Sequence, residues 1–170
     1  LRRRIGYVFQ NPRLLPWRTL RENIDLALPD GTGADVDELL HILGLEKAQQ
    51  VYPQRLSLGM SRRAAIARAF AIEPDLLLMD EPFVSLDSPT ALRVRQLLMD
   101  VWAARPHTVL FVTHDLREAI TLADRLVFLA AQPARVIAQV TVDIPRGERT
   151  QEDAVEAFLQ RLTEELQEIS

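Results

Sequence analysis

Two acidic side chains follow directly on an apolar run in this sequence. Residues 76–79 are apolar, and Asp80 and Glu81 come next. A run of this length predicts a buried strand of a parallel sheet, and ligands bind at the C-terminal ends of such strands in open α/β sheets. Asp80 suits a hydrated Mg²⁺, which favours carboxylates and substrate phosphates, and Glu81 could polarise an attacking water. For these residues taken alone, a strand followed by a charged turn is the alternative interpretation.

Two further apolar runs also end in polar side chains. The run at 109–112 leads into Thr113 and His114, and the run at 5–9 leads into Gln10. The C-terminal ends of parallel strands meet at one edge of a sheet, so these side chains are expected beside Asp80. A single histidine is more often structural, but His114 follows a predicted strand and is therefore a candidate site residue.

A helix beginning near Ser57 could bind phosphate. The segment 56–60 reads Leu-Ser-Leu-Gly-Met and precedes an Ala/Arg-rich run at 61–70 that favours a helix. Ser57 is a good N-cap, and a helix N-terminus with free N–H groups and a nearby glycine attracts phosphate. Helices capped by serine are common, so this signal is weak by itself.

In order and spacing, these segments resemble the ATP-binding cassette (ABC) family, the nucleotide-binding subunits of ABC transporters. Gln10 resembles the Q-loop glutamine of that family, 56–60 its signature, and 76–81 its Walker B strand. Ser85-Leu86-Asp87 resembles its D-loop, and His114 its switch histidine. The resemblance extends over nearly the whole chain.

Two shorter segments resemble one branch of the family. Leu-Leu-Pro-Trp at 14–17 and Gln-Pro-Ala-Arg-Val-Ile at 132–137 are similar to the nitrate, sulfonate and taurine importers.

The resemblance implies an α/β fold with a P-loop NTPase-like (RecA-like) parallel sheet core, incomplete at the N-terminus, and an inserted helical subdomain. It implies a single partial ABC ATPase domain over 1–170, divided as a helical subdomain at 17–73, a RecA-like core at 1–16 and 74–149, and a C-terminal amphipathic helix at 150–170.

The chain departs from the family pattern in two ways. Leu58 and Met60 stand where the family usually has glycine and glutamine, and Leu58 puts a side chain where backbone normally approaches a phosphate. No Gly-x-x-x-x-Gly-Lys-Ser/Thr motif occurs, and Lys47 is the only lysine. The family has this P-loop N-terminal to the Q-loop, so we expect the chain to begin after it and to be inactive by itself.

The resemblance implies ATP and Mg²⁺ as ligands, hydrolysed at two composite sites of a head-to-tail dimer. The implied catalytic residues are Glu81, which positions water, His114, which contacts the γ-phosphate, and Gln10, which senses metal and water. The implied metal residues are Asp80, acting through solvent, and Gln10. The implied nucleotide-binding residues are Ser57, Leu58, Gly59, Met60 and Asp87, and the last also bridges the dimer.

The implied function is the ATP-hydrolysing subunit of an importer, coupled to solute uptake through a membrane permease. The implied partners are a second nucleotide-binding subunit and a permease bound by the Gln10–Trp17 region. The implied location is cytoplasmic, peripheral on the inner face of the cell membrane. A non-catalytic remnant that keeps only the dimer and permease surfaces is the alternative. A chromosome-maintenance ATPase is disfavoured because a long coiled coil does not fit between Gln10 and Ser57.

Composition agrees with these expectations. The chain has 170 residues, 48% of them hydrophobic, which is enough for one domain with a core. A net charge of −4 gives no general attraction to nucleic acid, and no nucleic-acid partner is expected. There is no cysteine, which excludes disulfides and thiolate metal sites within these residues.

Overall fold

The computed structural model of the chain describes residues 4–28, 35–84, 86–104 and 106–169, with side chains to residue 165. A loop predicted at 29–33 by its Pro and Gly residues lies outside this part of the chain, as does Ser85 of the expected D-loop. The chain divides into two compact units, Leu1–Val112 and Thr113–Ser170. The division into a helical subdomain at 17–73 and a RecA-like core at 1–16 and 74–149 stays a prediction.

The first unit combines a parallel sheet with four helices. Its main elements are β1 (Ile5–Val8), α1 (Leu20–Asp25), α2 (Val36–Ile42), α3 (Leu58–Ala71), β2 (Leu76–Asp80), α4 (Ser88–Ala104) and β3 (Thr108–Val112).

Local capping chemistry starts the helices of this unit. Thr19 and Glu22 predict a capping box, and the structure contains it: the Thr19 side chain accepts from the Glu22 N–H, and Glu22 accepts from the Thr19 N–H. The predicted N-cap at Ser57 is also present, since its hydroxyl accepts from the Met60 N–H at 3.2 Å. Gly44 follows α2 with a φ of 62°, the left-handed conformation that ends helices.

The sheet of the first unit runs in the order β1-β2-β3, and all pairs are parallel. Its two faces differ. Val8, Leu77 and Met79 are buried on the face that packs against α3, whereas side chains on the opposite face, here called the open face, are largely exposed. The exposed large apolar side chains of this face are Ile5 (56%), Tyr7 (40%), Leu110 (61%) and Val112 (58%). Apolar side chains on both faces are typical of parallel sheets that are covered on both sides.

The second unit contains an antiparallel hairpin and two helices. Its elements are α5 (Leu116–Leu122), β4 (Arg125–Ala131), β5 (Ala134–Thr141) and α6 (Glu152–Ile169). They enclose a core formed by Ile120, Leu126, Val142, Ile144, Val155, Phe158 and Leu162. The buried Arg149 donates to the carbonyls of Ile144 and Ala123, at 2.8 and 2.9 Å.

Two details of the second unit differ from expectation. Thr150 predicts a helix cap, but α6 begins at Glu152, so Gln151 precedes its first residue. The alternation in β5 predicts a half-exposed strand, and it holds over 138–141, whereas Val136 and Ile137 in the first half of the strand are both exposed.

Among the described residues, no helix has the length and apolar character needed to cross a membrane.

Candidate active site

Asp80 and Glu81 lie where β2 ends, beside β3. Asp80 is the last residue of β2 and pairs with Val112, which places it on the open face. The backbone N–H of Glu81 donates to the Val112 carbonyl at 2.9 Å, so the main chain stays tied to β3 one residue beyond the strand. Both acidic residues are half-buried.

The backbone of Glu81 is left-handed, with a φ of 48°. Residues other than glycine seldom adopt this conformation, because Cβ then crowds the backbone. Such residues cluster at functional sites, where surrounding contacts hold them in place. Here the Val112 carbonyl holds the N–H of Glu81, and Phe83, 4% exposed, anchors the turn that follows.

Gln10 lies at the same edge of the sheet. Val8, the last residue of β1, pairs with Met79 of β2, so Gln10, two residues after β1, and Asp80, the last residue of β2, lie at neighbouring strand ends. Gln10 is exposed. Three of the predicted site residues, Gln10, Asp80 and Glu81, therefore lie at one edge of the sheet.

The chain after Gln10 is fixed by Asn23 of α1, which is 2% exposed. Its side-chain oxygen accepts from the Leu15 N–H at 2.7 Å, and its amide nitrogen donates to the carbonyls of Leu15, Arg18 and Thr19. With its backbone held in this way, the segment leaves Trp17 68% exposed. The sequence signal for Asn23 is a polar residue inside an apolar helix face, a signal that is not part of the motifs that predict the site.

The signature-like residues begin helix α3 rather than end a strand. Ser57 is exposed, and Leu58 is 54% exposed as the first residue of α3. A Cβ added at Gly59 would meet nothing within 4 Å. This end of α3 therefore presents its N–H groups on an open surface.

Asp87 and His114 each adjoin the start of a helix. The Asp87 carboxylate accepts from the Thr90 N–H at 3.1 Å in the first turn of α4, and the hydrogen bonds from Thr90 lower the pKa of Asp87. His114 belongs to the second unit, where it is exposed and precedes Asp115, the N-cap of α5. Thr113, on its other side, donates its hydroxyl proton to Glu118 at 3.1 Å and accepts from the Asp115 N–H.

The donor set at the strand ends fits Mg²⁺ in part. Within the described residues, no group of three or more His, Cys, Asp or Glu side chains is placed to hold a metal. Asp80 and Gln10 supply one carboxylate and one amide oxygen at neighbouring strand ends. Mg²⁺ commonly keeps several waters and takes one or two carboxylates together with substrate phosphates, so a set of this size is compatible with it.

Comparisons with known proteins identify the family. A family model described as ABC transporter matches residues 1–84. The aliphatic sulfonates import ATP-binding protein SsuB of Bacillus licheniformis is 43% identical over 143 residues, 82% of this chain and 56% of that protein. The aliphatic sulfonates import ATP-binding protein SsuB 2 of Burkholderia cenocepacia is 42% identical over 166 residues, 96% of this chain and 62% of that protein. The chain thus spans about three-fifths of the length of these relatives.

A solved structure shares the fold. It is described as a dimeric post-hydrolysis state of the ATP-binding cassette MJ0796 bound to ADP and Pi. It superposes with a TM-score of 0.72 at 31% sequence identity, over 84% of this chain and 65% of that one. The chain therefore belongs to the ABC transporter family of ATP-binding cassettes.

Proposed function

We propose that the protein is the ATP-hydrolysing subunit of an importer and that ATP hydrolysis there drives uptake of a small solute. The observation that carries this proposal is Glu81, held in a left-handed conformation at the end of β2, with Asp80 and Gln10 at the same sheet edge. The import class is supported by the relatives, which are named for aliphatic sulfonate import.

In this function, the predicted catalytic and metal residues act on the γ-phosphate, the metal and the attacking water. Glu81 orients the attacking water toward the γ-phosphate, and the bond from its N–H to Val112 keeps its side chain at the strand end. Gln10 and Asp80 would hold Mg²⁺, Asp80 through solvent, and Gln10 would also meet the attacking water. Bound Mg²⁺ would neutralise phosphate charge. His114 contacts the γ-phosphate.

The start of α3 acts on nucleotide held by a second subunit. Ser57 and Gly59 lie on an exposed helix N-terminus, where the helix dipole favours phosphate. Leu58 and Met60 line the same site, and Asp87 bridges the two subunits. Support for the head-to-tail dimer comes from the similar cassette MJ0796, whose structure is dimeric.

A membrane permease is the second proposed partner, bound by the Gln10–Trp17 region. Trp17 is largely exposed, while the backbone around it is fixed by Asn23, and an exposed aromatic side chain on a fixed backbone is typical of interaction surfaces. This interaction would place the protein on the inner face of the cell membrane, in the cytoplasm.

Reconstituted transport tests this function. A protein that carries a P-loop segment ahead of these 170 residues, called the full-length protein below, is assembled with its permease in liposomes. It should hydrolyse ATP and accumulate an aliphatic sulfonate only when Mg-ATP is supplied on the side of this subunit. Absence of ATP turnover in that assembly would contradict the proposal.

The non-catalytic alternative concerns the 170-residue chain as it stands. It rests on one observation: these 170 residues contain no P-loop motif. Such a chain would keep the Trp17 surface and the start of α3 without hydrolysing ATP. The encoding reading frame separates the two functions: a P-loop encoded upstream of Leu1 would contradict the non-catalytic alternative.

A further inference from the structure

Arg68 joins helix α3 to the segment that follows Gln10. It lies near the C-terminal end of α3 and is half-buried. Its guanidinium donates to the Pro12 carbonyl at 3.0 Å and to the Arg13 carbonyl at 3.1 Å. Burial lowers the pKa of Arg68 from its ordinary value, yet an arginine stays charged in proteins, so both hydrogen bonds are charge-assisted.

The segment that Arg68 holds is in an uncommon conformation. Arg13 has a φ of 47°, in the left-handed region. Its own guanidinium lies 4.8 Å from the centre of the Phe9 ring, and Phe9 stacks on Tyr7 with ring centres 4.0 Å apart. The backbone bonds from Arg68 and the side-chain stack on Phe9 therefore fix Arg13 from two sides.

Helix α3 is in close contact with β1 at the same end. A Cβ added at Gly6 of β1 would lie 2.7 Å from the Ala69 carbonyl oxygen, so strand and helix backbones approach as closely as glycine allows. Arg68 and Ala69 thus attach the end of α3 to β1 and to the segment after it.

The opposite end of α3 carries Ser57. At about 1.5 Å per residue, Ser57 lies about 16 Å along the helix axis from Arg68. Between them, residues 64–67 are buried, and Arg63 donates to the Leu43 carbonyl at 2.6 Å. A buried, hydrogen-bonded helix of this length moves as one body, so displacement of one end is carried to the other.

We propose that Arg68 is a positioning residue that couples the Gln10 segment to the Ser57 end of α3. Nucleotide bound against Ser57 would shift α3, and Arg68 would carry the shift to residues 11–18, which present Trp17. This inference rests on the proposed function, because it takes the Ser57 end as a nucleotide contact. It adds a specific link, made by one guanidinium and two main-chain carbonyls.

Arg63 provides a matched control. It lies on the same helix and donates to the Leu43 carbonyl at the end of α2 and, at 3.4 Å, to the Gly59 carbonyl of α3 itself, but not to the segment after Gln10. Arg63→Met and Arg68→Met therefore remove the same chemical group from one helix and release different segments.

Hydrogen–deuterium exchange of the full-length protein measures the link. Without nucleotide, Arg68→Met should raise amide exchange in residues 11–18 about tenfold, as expected for loss of hydrogen bonds to a charged group. Arg63→Met should raise exchange at 41–45 and leave 11–18 as in the parent. Arg68→Lys, which can reach only one carbonyl, should give an intermediate increase at 11–18.

The response to ATP distinguishes coupling from simple stability. In the parent, ATP with Mg²⁺ should slow exchange at 11–18. In Arg68→Met this response should disappear, and kcat should fall about tenfold while KM changes less than about threefold, because the lost interaction does not touch substrate. Arg68→Lys should keep part of the ATP response at 11–18 and part of the parental kcat.

The following results would contradict the proposed role of Arg68. Parental exchange and a parental ATP response at 11–18 in Arg68→Met would overturn it. Should that variant fail to fold, a parental response in Arg68→Lys would overturn it equally. A parent protein that binds no ATP would overturn the proposed function together with the coupling. In that case, amide exchange of Arg68→Met and Arg63→Met, compared without nucleotide, would still show whether Arg68 holds residues 11–18.

Discussion

The N–H of Glu81 is hydrogen-bonded to the carbonyl of Val112 at 2.9 Å while Glu81 itself has a φ of 48°. This bond continues the ladder between β2 and β3 past the last residue of β2. It defines where the Glu81 side chain leaves the sheet, one residue after Asp80. A carboxylate positioned by its backbone needs little rearrangement before it can orient a water.

Substitution of Glu81 by glutamine should remove turnover and preserve ATP binding. The amide keeps the size of the side chain and cannot accept a proton, so kcat of the full-length protein should fall by about 100-fold or more. Steady-state hydrolysis and nucleotide binding measured on the same preparation check this.

Glu73 is a matched control for Glu81. It is also a glutamate with a left-handed backbone, at a φ of 47°, but it pairs with Arg4 at 3.6 Å. Glu73→Gln should keep kcat within about threefold of the parent, as for a residue outside the reaction. Near-parental turnover in Glu81→Gln would show that another group orients the water.

Replacement of Leu58 by glycine should strengthen the composite site. Leu58 is exposed at the start of α3, and its removal lets phosphate approach the helix N-terminus. ATP-dependent dimerisation of the full-length protein should tighten by about three- to tenfold, the value of one net hydrogen bond. Analytical ultracentrifugation with and without ATP measures it.

Leu92 tests whether that effect is specific. It is an exposed leucine of α4, so Leu92→Gly makes the same substitution on the surface of another helix without altering α3. We expect it to leave the dimerisation constant unchanged. A neutral or harmful effect of Leu58→Gly would mean that the helix start already accommodates leucine.

The 170-residue chain should neither bind nor hydrolyse Mg-ATP. Asp80, Glu81 and Ser57 do not reproduce the backbone cradle and lysine of a P-loop, which is absent from these residues. Calorimetric titration of the purified chain should show no saturable heat. Micromolar binding with steady phosphate release would refute this expectation.

Substitution of Leu110 by lysine should reduce aggregation of the 170-residue chain. Leu110 is 61% exposed on β3, which has one strand neighbour in the described part of the chain. A charge on such an edge strand opposes association between sheets. Light scattering should fall, while the free energy of unfolding should change by less than about 0.5 kcal/mol.

Two comparisons make this substitution informative. Leu77→Lys, at a side chain that is 0% exposed, should unfold the chain. In the full-length protein, we expect further residues to cover the open face, so Leu110→Lys should there cost about 2–5 kcal/mol. Equal stability of parent and Leu110→Lys in the full-length protein would show that this face stays open.

The sequence by itself determined the local elements and the residues that follow them. Three features depend only on neighbours within a few positions: the apolar run before Asp80, the capping box at Thr19 and the N-cap at Ser57. They can therefore be predicted without knowledge of the tertiary structure. The parallel sheet and the family were also predicted, because the order and spacing of the motifs carry that information.

Only the tertiary structure decided the features that depend on distant partners. The left-handed backbone of Glu81 is held by Val112, 31 positions away in the sequence, and that of Arg13 by Arg68, 55 positions away. Local sequence favours neither conformation, since glutamate and arginine both avoid positive φ. Surrounding hydrogen bonds stabilise these conformations, and such bonds exist only once the strands and α3 have packed together.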